Sequence, residues 1–348
     1  MKILIFTNNY NTIGGIQQYT KNFIRALKEL NQNFEIVLLK KSNLFYKILF
    51  IIESFLKFMF YKPDFILCNH VNFTPLAYFY KKIFKANYGF IAYGIEVWNL
   101  KNHLGLTNTN FIVSLSRYTK NKILENNKNF NFDIQIINPA VETEKFKPLN
   151  SREEVLAKYN LPSDQKIILT ICRFDKSEKY KGYDKVIETL PKVLDKIRNI
   201  IYVLVGEGND IDDLNMLIEE LNLKEKVYFL GSIKNDLIPQ ILSIADVFVM
   251  PSKGEGFGIV FIEALACGVP VIAGNKDASI EALLGGELGI LVDPDNIDEI
   301  AEAIIKVLKG EAPKRLYDKN YLRQKVIENF GFEVFKNRVK MFLESINK

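Results

Sequence analysis

Residues Asp246–Pro270 read DVFVMPSKGEGFGIVFIEALACGVP, and this stretch decides the predicted fold and chemistry. It begins as an apolar strand, passes through a glycine-rich turn and continues as a helix from about Ile259. The first amides of a helix lack internal partners and bind anions, and glycines let a ligand approach the backbone. Glu255 on the turn and Glu263 inside the helix can accept hydrogen bonds from sugar hydroxyls. The stretch therefore predicts a ligand that is half phosphate and half sugar, which is a nucleotide-sugar.

Strand-like and helix-like segments alternate on both sides of this stretch, which predicts an α/β protein with parallel sheets. The strands are near-continuous apolar runs, as expected when both faces are covered. The predicted strands are Lys2–Thr7, Phe34–Leu39, Asp64–Cys68, Tyr88–Tyr93, Phe111–Leu115 and Ile134–Asn138, and then Lys166–Cys172, Ile200–Val205, Val227–Leu230, Asp246–Met250, Val269–Ala273 and Gly289–Val292. Two such series predict two Rossmann-like domains facing each other across a cleft, with ligands at the carboxyl ends of the strands.

The chain of 348 residues is long for one domain, and a polar stretch from Pro148 to Ser163 marks the predicted boundary. We expect a first domain at residues 1–147 and a second at residues 163–330. We expect the closing helix, at about residues 331–348, to pack back onto the first domain.

Composition limits the class of protein and of partner. The three cysteines are far apart and lack metal-ligand spacing, which favours reduced thiols in a cytoplasmic protein, and the apolar start is too short for a signal peptide. Residues 1–150 hold 19 basic and 9 acidic side chains, whereas the remainder holds 27 and 32. The basic half favours an acidic lipid surface or a phosphorylated substrate. Nucleic acid is the weakest interpretation, because no nucleic-acid motif accompanies the charge.

The segment Leu44–Lys62 is strongly aromatic and, as a helix, has a narrow polar stripe formed by Lys47, Ser54 and Lys57. Its charges argue against a membrane-spanning helix. Two interpretations remain: an interfacial helix with lysines at lipid headgroups, or a crossover helix buried in the core. Lysine and phenylalanine recur in Tyr80–Lys85, which favours peripheral contact with an anionic membrane.

Two cations follow the first strand of the second half. Arg173 ends that strand and Lys181 precedes the next helix, so both can neutralise a diphosphate, Arg with a planar fork and Lys as a point charge. They could instead be solvated surface cations. Their place in the same half as the carboxylate turn favours the diphosphate.

Two further glycine turns lie where a ligand could bind. Gly206 follows a strand in Gly206-Glu207-Gly208 and could shape the nucleoside pocket, and Gly15 begins the first helix, where anions bind well. Either turn could also be a plain connection.

No metal site is predicted. Asp210-Ile211-Asp212 and Asp293-Pro294-Asp295 match the D-x-D pattern of metal-dependent sugar transfer, but both lie beside helix starts, where Asp is a common cap. With two histidines and no cysteine cluster, no transition-metal site is expected. His70 is expected to be structural. Glu96 could orient an acceptor hydroxyl or accept its proton, or it could cap a helix.

Taken together, these residues resemble glycosyltransferase family 4, retaining enzymes of the two-Rossmann GT-B architecture. The resemblance covers essentially the whole chain and is strongest over Asp246–Pro270. It implies that Arg173 and Lys181 hold the donor diphosphate and that Glu263 binds the ribose. It implies no metal and no other cofactor, because cations and helix amides carry the charge of the leaving group.

The resemblance assigns further roles around the same ligand. Glu255 would bind hydroxyls of the donor sugar, helped by the backbone amides of Phe257, Gly258 and Ile259. Gly15 would approach the phosphates from the other domain.

One position departs from the family pattern. The family usually places a histidine where this chain has Tyr93, in the turn Tyr93-Gly94-Ile95-Glu96. Tyr93 can donate a hydrogen bond but does not readily become a cation. The candidate catalytic residues are therefore Glu255, Arg173, Lys181, Glu96 and Tyr93.

The resemblance implies retaining transfer of a sugar from a UDP- or GDP-sugar to a glycan or lipid-linked acceptor, in the assembly of surface polysaccharide, lipopolysaccharide or another glycan. We expect a cytoplasmic protein at the inner face of the membrane. Two alternatives remain open: a non-catalytic nucleotide-sugar-binding subunit, and another GT-B reaction such as phosphorolysis or epimerisation.

Overall fold

The computed structural model describes residues 1–11, 14–101, 103–129, 131–149 and 152–346. The chain divides into two compact units, one formed by Met1–Ala140 with Phe332–Lys348 and the other by Val141–Gly331. Within the described residues, each unit is built on one six-stranded parallel sheet with helices between the strands, which confirms the predicted fold class of two Rossmann-like α/β units.

The first unit has the sheet order β2-β1-β3-β4-β5-β6. Residues on β1 alternate between two cores: Ile3 and Ile5 face one, and Leu4 and Phe6 face the other. The strands are β1 Lys2–Asn8, β2 Asn33–Leu39, β3 Phe65–Cys68, β4 Asn87–Ala92, β5 Phe111–Ser114 and β6 Ile134–Ile136. The helices are α1 Gly15–Glu29, α2 Leu44–Tyr61, α3 Thr74–Phe84, α4 Ile95–Trp98, α5 Leu104–Thr107 and α6 Arg117–Asn126.

The second unit has the sheet order β12-β11-β10-β7-β8-β9. The strands are β7 Lys166–Ile171, β8 Ile200–Val205, β9 Val227–Phe229, β10 Val247–Met250, β11 Val271–Gly274 and β12 Gly289–Val292. The helices are α7 Arg152–Lys158, α8 Tyr183–Lys196, α9 Ile211–Glu220, α10 Ile238–Ile244, α11 Ile259–Ala266, α12 Ser279–Ala282, α13 Ile297–Lys309 and α14 Lys319–Phe330. The chain builds outward from β7 to β9 and then returns to β10 on the other side of β7, so the order reverses between β7 and β10.

The closing helix α15, Phe332–Ile346, packs on α1 of the first unit. The Phe335 ring meets Tyr19 edge-on at 5.3 Å, and Lys336 pairs with Glu29 at 3.0 Å. A buried apolar stripe on α15 therefore completes the first core.

The division between the units falls earlier than the predicted end of the first domain at residue 147. Val141 bridges to Gly331, and Phe146 packs in the core of the second unit. The expected polar linker is also not a linker, because α7 lies in it and buries Val155 and Leu156 in that second core.

Helix α2 connects β2 to β3 and has an unusual burial pattern. Only Phe50 and Ser54 are buried in this helix, whose eighteen residues are all described. The interpretation of a helix buried in the core is therefore wrong. Over the described ranges, none of the helices is both long enough and apolar enough to cross a bilayer.

Candidate functional site

The candidate site lies where the strand order of the second unit reverses. Ligands of doubly wound sheets bind outside the carboxyl ends of the strands at this point. Arg173 and Lys181 follow β7, and the carboxylate turn Pro251–Gly258 follows its neighbour β10. The topology thus brings to one edge the cations and acids that are far apart in sequence.

Backbone contacts hold the two loops together. The Lys253 N–H donates to the Tyr180 carbonyl at 2.9 Å, and Gly254 packs directly under the Tyr180 ring. The Gly254 N–H donates to Ser252 Oγ at 3.1 Å. The turn that carries Glu255 is therefore fixed against the segment that carries Lys181.

Both predicted phosphate-binding cations contact the same carboxylate. Glu178 lies 2.9 Å from Arg173 and 2.6 Å from Lys181, on opposite oxygens. Arg173 is largely exposed, whereas Lys181 and Glu178 are mostly buried. Burial lowers the pKa of Lys181, but the charges of Glu255 and Glu178 outweigh it and raise that pKa. Lys181 is thus held as a cation at the point where a diphosphate is expected.

Glu255 is positioned through its backbone. Its N–H donates to Asp277 Oδ2 at 2.6 Å, and its carbonyl accepts from the Ala278 N–H at 3.2 Å. Loss of hydration raises the pKa of Glu255 to about 7, although Lys181 opposes this rise. The carboxyl group can therefore accept or donate a hydrogen bond near neutral pH, which suits contacts with sugar hydroxyls.

The start of α11 offers unused donors. Gly258 precedes α11 with a φ of 85°, a left-handed conformation that favours glycine. No described residue accepts from the backbone N–H of Phe257 or Gly258, and α11 has neither a side-chain cap nor an acid in its first turn. The Phe257 ring is buried against Phe330, so only its backbone can meet a ligand. Free amides before a helix are donors that an anion can accept, and anion binding here stays a prediction.

Glu263 lies one turn inside α11. Loss of hydration raises its pKa to about 8, and nearby Lys145 only partly offsets the effect. A carboxyl group with so little hydration is costly to keep charged, which is common where a side chain serves a ligand.

Gly206 fixes the exit of β8 beside Arg173. A Cβ on Gly206 would overlap the Cys172 carbonyl oxygen, so only glycine permits this approach. The Phe174 N–H donates to the Glu207 carbonyl at 3.0 Å. Gly206 therefore lies next to the cation loop, and its contact with a nucleoside stays a prediction.

Three of the four carboxylates in the D-x-D motifs contact protein groups. Asp210 accepts from the Tyr183 hydroxyl at 2.9 Å and pairs with Lys179, and it does not cap its helix. Asp293 and Asp295 both pair with Lys276. In the parts of the chain that the structure describes, no three His, Cys, Asp or Glu residues are grouped as a metal site would need.

In the first unit, Tyr93 and Glu96 belong to one buried turn. The Tyr93 hydroxyl donates to Asn69 Oδ1 at 2.8 Å, and the Tyr93 N–H donates to Glu96 Oε1 at 2.6 Å. Burial raises the pKa values of both side chains. Their proposed catalytic roles stay predictions, and the geometry shows that Glu96 caps a turn.

Gly15 and His70 also lie in the first unit. Gly15 is the exposed first residue of α1, which has no side-chain cap. His70 accepts from the Asn72 N–H through Nδ1 at 3.1 Å, which is a structural role. Residues 12 and 13, in the turn before α1, lie outside the described residues.

Three contributors were missed from the sequence: Glu178, Asp277 and Asn69. Glu178 stands three residues before Lys181, a spacing that favours an ion pair on one helical turn. Asp277 and Asn69 both follow the carboxyl end of a strand, which was the available signal. The partner of each side chain depends on how neighbouring loops pack, and the sequence carries no local signal of that packing.

Comparison with known proteins gives a family match over half of the chain. The family described as Glycosyl transferases group 1 matches residues 151–325. A GDP-mannose-dependent alpha-(1-6)-phosphatidylinositol monomannoside mannosyltransferase of Mycobacterium tuberculosis (strain CDC 1551 / Oshkosh) is 31% identical over 183 residues. This alignment covers 50% of the chain and 46% of that relative, so the matched region spans about half of the relative's length.

Solved structures match the whole fold at low identity. Anabaena Alr3699/HepE in complex with UDP has a TM-score of 0.80 at 17% identity and covers 99% of this chain and 100% of its own. Sucrose-phosphate synthase from Thermosynechococcus elongatus has a TM-score of 0.81 at 21% identity, with coverage of 99% and 98%. These likenesses concern the fold.

Proposed function

The chain belongs to the group 1 glycosyl transferases, and we propose that it transfers a sugar from a nucleotide-sugar to a hydroxyl of a glycan or lipid-linked acceptor. One observation carries this proposal. Arg173, Lys181, Glu255 and the uncapped start of α11 converge on the point where the sheet order of the second unit reverses.

The donor is held by its central diphosphate and by the hydroxyls of the transferred sugar and the ribose on either side of it. Arg173 and Lys181 bind the diphosphate, and the amides of Phe257, Gly258 and Ile259 add donors. Glu255 binds hydroxyls of the transferred sugar, and Glu263 binds the ribose. No metal is needed in this scheme, because fixed cations and amides neutralise the leaving group.

The reaction proceeds with retention by front-face attack. The bond from the anomeric carbon to the phosphate oxygen breaks, and the acceptor oxygen forms its bond on the same face. The acceptor proton passes to the leaving phosphate oxygen, so no further base is required. Catalysis is then mostly positioning and stabilisation of charge on the leaving diphosphate.

UDP- and GDP-sugars are the donors to test. HepE was solved with UDP, and the mycobacterial relative is named for GDP-mannose. A thermal-shift panel of both classes should show one preferred donor, because a ligand that binds only the folded state raises the melting temperature.

We assign acceptor binding to the first unit, in which the candidate contact residues are Tyr93, Glu96 and Gly15. The mycobacterial relative acts on a phosphatidylinositol mannoside, as its name states, which supports a lipid-linked acceptor. Residues 1–150 carry 19 basic and 9 acidic side chains, and this positive charge supports activity at the anionic inner face of a membrane. Assembly of surface polysaccharide, lipopolysaccharide or another lipid-linked glycan is the proposed setting.

Replacing either cation tests the proposal. Arg173→Ala or Lys181→Ala should slow nucleotide release from the preferred donor by about 10²- to 10³-fold in the presence of membrane-lipid acceptor, as when an oxyanion donor is lost. Lys176→Ala is the matched control, because Lys176 lies in the same loop but pairs with Asp213. Wild-type turnover in either variant would contradict the assigned roles.

A second candidate is a non-catalytic nucleotide-sugar-binding subunit. The observation that favours it is the Tyr93 hydroxyl, which is bound inside the protein where the family usually has a histidine. Donor binding without acceptor-dependent release of nucleotide would support this candidate. Turnover that depends on inorganic phosphate would instead indicate phosphorolysis.

A further inference from the structure

Helix α2 presents an apolar face away from the protein. In this fully described helix, one side is made of large apolar residues that are each at least 44% exposed: Leu44, Phe45, Ile48, Leu49, Ile51, Ile52, Phe55, Leu56, Met59 and Phe60. At about 100° per residue these positions span roughly half of the helix circumference, without a charged side chain among them. Phe60 is 83% exposed.

Ser54 and Lys57 of the polar stripe face the opposite way, into the protein, whereas Lys47 is exposed. Ser54 Oγ lies 2.8 Å from the Tyr80 hydroxyl, and Lys57 Nζ donates to the Ile36 carbonyl at 2.6 Å. Lys57 also pairs with Glu53 at 3.0 Å. The helix is therefore inverted with respect to an ordinary surface helix, which keeps its apolar stripe toward the core.

Helix α13 of the second unit shows the ordinary arrangement. Its exposed positions are all charged: Asp298, Glu302, Lys306 and Lys309. Helix α13 packs on β10 and β12, so a helix that covers a parallel sheet does not require an exposed apolar face. A contiguous apolar surface of this kind is rare on a protein that meets only water.

The apolar surface continues onto α3. Phe79, Ile83 and Phe84 are exposed there, and the Phe84 ring lies 6.3 Å from Phe55 of α2. We call the exposed apolar residues of these two helices the α2–α3 apolar face.

Lysines lie at the ends of both helices. Lys40, Lys41 and Lys47 are exposed around the start of α2, and Lys62 follows its last turn. Lys82 and Lys85 are exposed at the end of α3. The single acid of the two helices, Glu53, is paired with Lys57. The apolar face therefore lies within a positive field.

We propose that the α2–α3 apolar face lies on an anionic lipid bilayer, with its apolar side chains among the acyl chains and its lysines at the headgroups. The charge selects this occupant. In a dimer formed through this face, the lysines of one copy would meet an equally basic surface on the other, whereas an anionic bilayer complements both features. This proposal rests on the proposed function in one respect: membrane binding would bring the protein to a lipid-linked acceptor.

Vesicle sedimentation of the full chain without any donor tests the proposal. Wild-type protein should sediment with vesicles of equimolar phosphatidylglycerol and phosphatidylcholine, and much less with phosphatidylcholine alone. I52E/L56E places two charges on exposed positions of the face and should weaken binding by at least about tenfold. K40S/K41S/K82S/K85S should remove most of the preference for the anionic vesicles.

Matched controls separate the face from exposed apolar residues in general. M216E on α9 and M341E on α15 change methionines that are 63% and 68% exposed and should sediment like wild type. Arg173→Ala should also sediment like wild type, so failure of the catalytic proposal would be seen separately.

A fluorescence measurement covers the case in which the charged variants fold poorly. A tryptophan placed by F60W should shift to shorter wavelength when the anionic vesicles are added, and one placed by M216W should not. An unshifted F60W signal, or I52E/L56E protein that sediments like wild type, would overturn the proposal. A wild-type dimer that ignores vesicles and becomes monomeric with I52E/L56E would also overturn it, in favour of self-association.

Discussion

At the scale of single residues, two acids at the candidate site are held in unfavourable surroundings. Loss of hydration raises the pKa of Glu255 to about 7 and that of Glu263 to about 8, from an ordinary value of 4.5. Neither carboxyl is matched by enough nearby positive charge to reverse this effect. Such positions destabilise the folded protein and are expected where a side chain waits for a ligand.

Glu263→Gln separates the stability of the protein from its function. The folded pKa lies above the ordinary value, so the wild type loses stability as pH rises from about 4.5 through about 8. Glu263→Gln should therefore be more stable than wild type by on the order of 5 kcal/mol at pH 9 and equally stable near pH 4. Chemical denaturation at the two pH values measures this difference.

The same variant should bind the donor nucleotide more weakly, because the neutral amide offers the ribose hydroxyls one acceptor oxygen where the carboxylate offers two. Glu302→Gln, on the charged face of α13, is the control and should change neither quantity. Parallel stability curves for Glu263→Gln and wild type across the pH range would show that Glu263 is not held in a poorly hydrated site.

Glu178 forms ion pairs with both of the cations that are proposed to bind the donor diphosphate. Its carboxylate lies within 3 Å of Arg173 and Lys181, so a diphosphate must displace it or share these partners. Glu178→Gln removes a competing negative charge and should tighten binding of the free nucleoside diphosphate by about three- to tenfold. Isothermal titration measures the change, with Glu188→Gln on α8 as the control. Weaker binding would mean that Glu178 chiefly positions Lys181.

At the scale of secondary structure, all the predicted strands are present, because buried parallel strands have a strong apolar signature. Helix α7 was missed, since its charged residues Arg152, Glu153 and Glu154 dominate the pattern that buries Val155 and Leu156. A short helix with few apolar residues gives little periodicity to read.

The orientation of α2 could not be predicted either. Periodicity identified its polar stripe but not the direction in which the stripe points. Ser54 and Lys57 of the stripe face inward because Tyr80 and the Ile36 carbonyl provide their partners. Those partners become neighbours only once the sheet has formed.

For the candidate site, the sequence supplied the chemistry and the fold supplied the arrangement. Arg173, Lys181 and Glu255 were predicted because cations, glycines and acids followed strand ends. The carboxylate that joins the cations, Glu178, and the one that fixes the turn, Asp277, depend on how two loops pack. Long-range loop contacts of this kind have no local pattern in the chain.

At the scale of the whole molecule, the two units share a fold and differ in the chemistry that each presents. The second unit carries the cations, acids and uncapped helix at its reversal point, and the first unit carries the basic surface and the α2–α3 apolar face. This division favours donor chemistry in the second unit and contact with a lipid-linked acceptor through the first.

The most direct test of the account is a crystal structure of the protein with the nucleotide-sugar that gives the largest thermal shift. The diphosphate should lie within about 3.5 Å of Arg173 and Lys181 and of the Gly258 amide, with sugar hydroxyls at Glu255 and the ribose at Glu263. Glu178 should have left at least one of its two cations. A nucleotide bound elsewhere, with the turn at Gly254–Gly258 empty, would contradict the account.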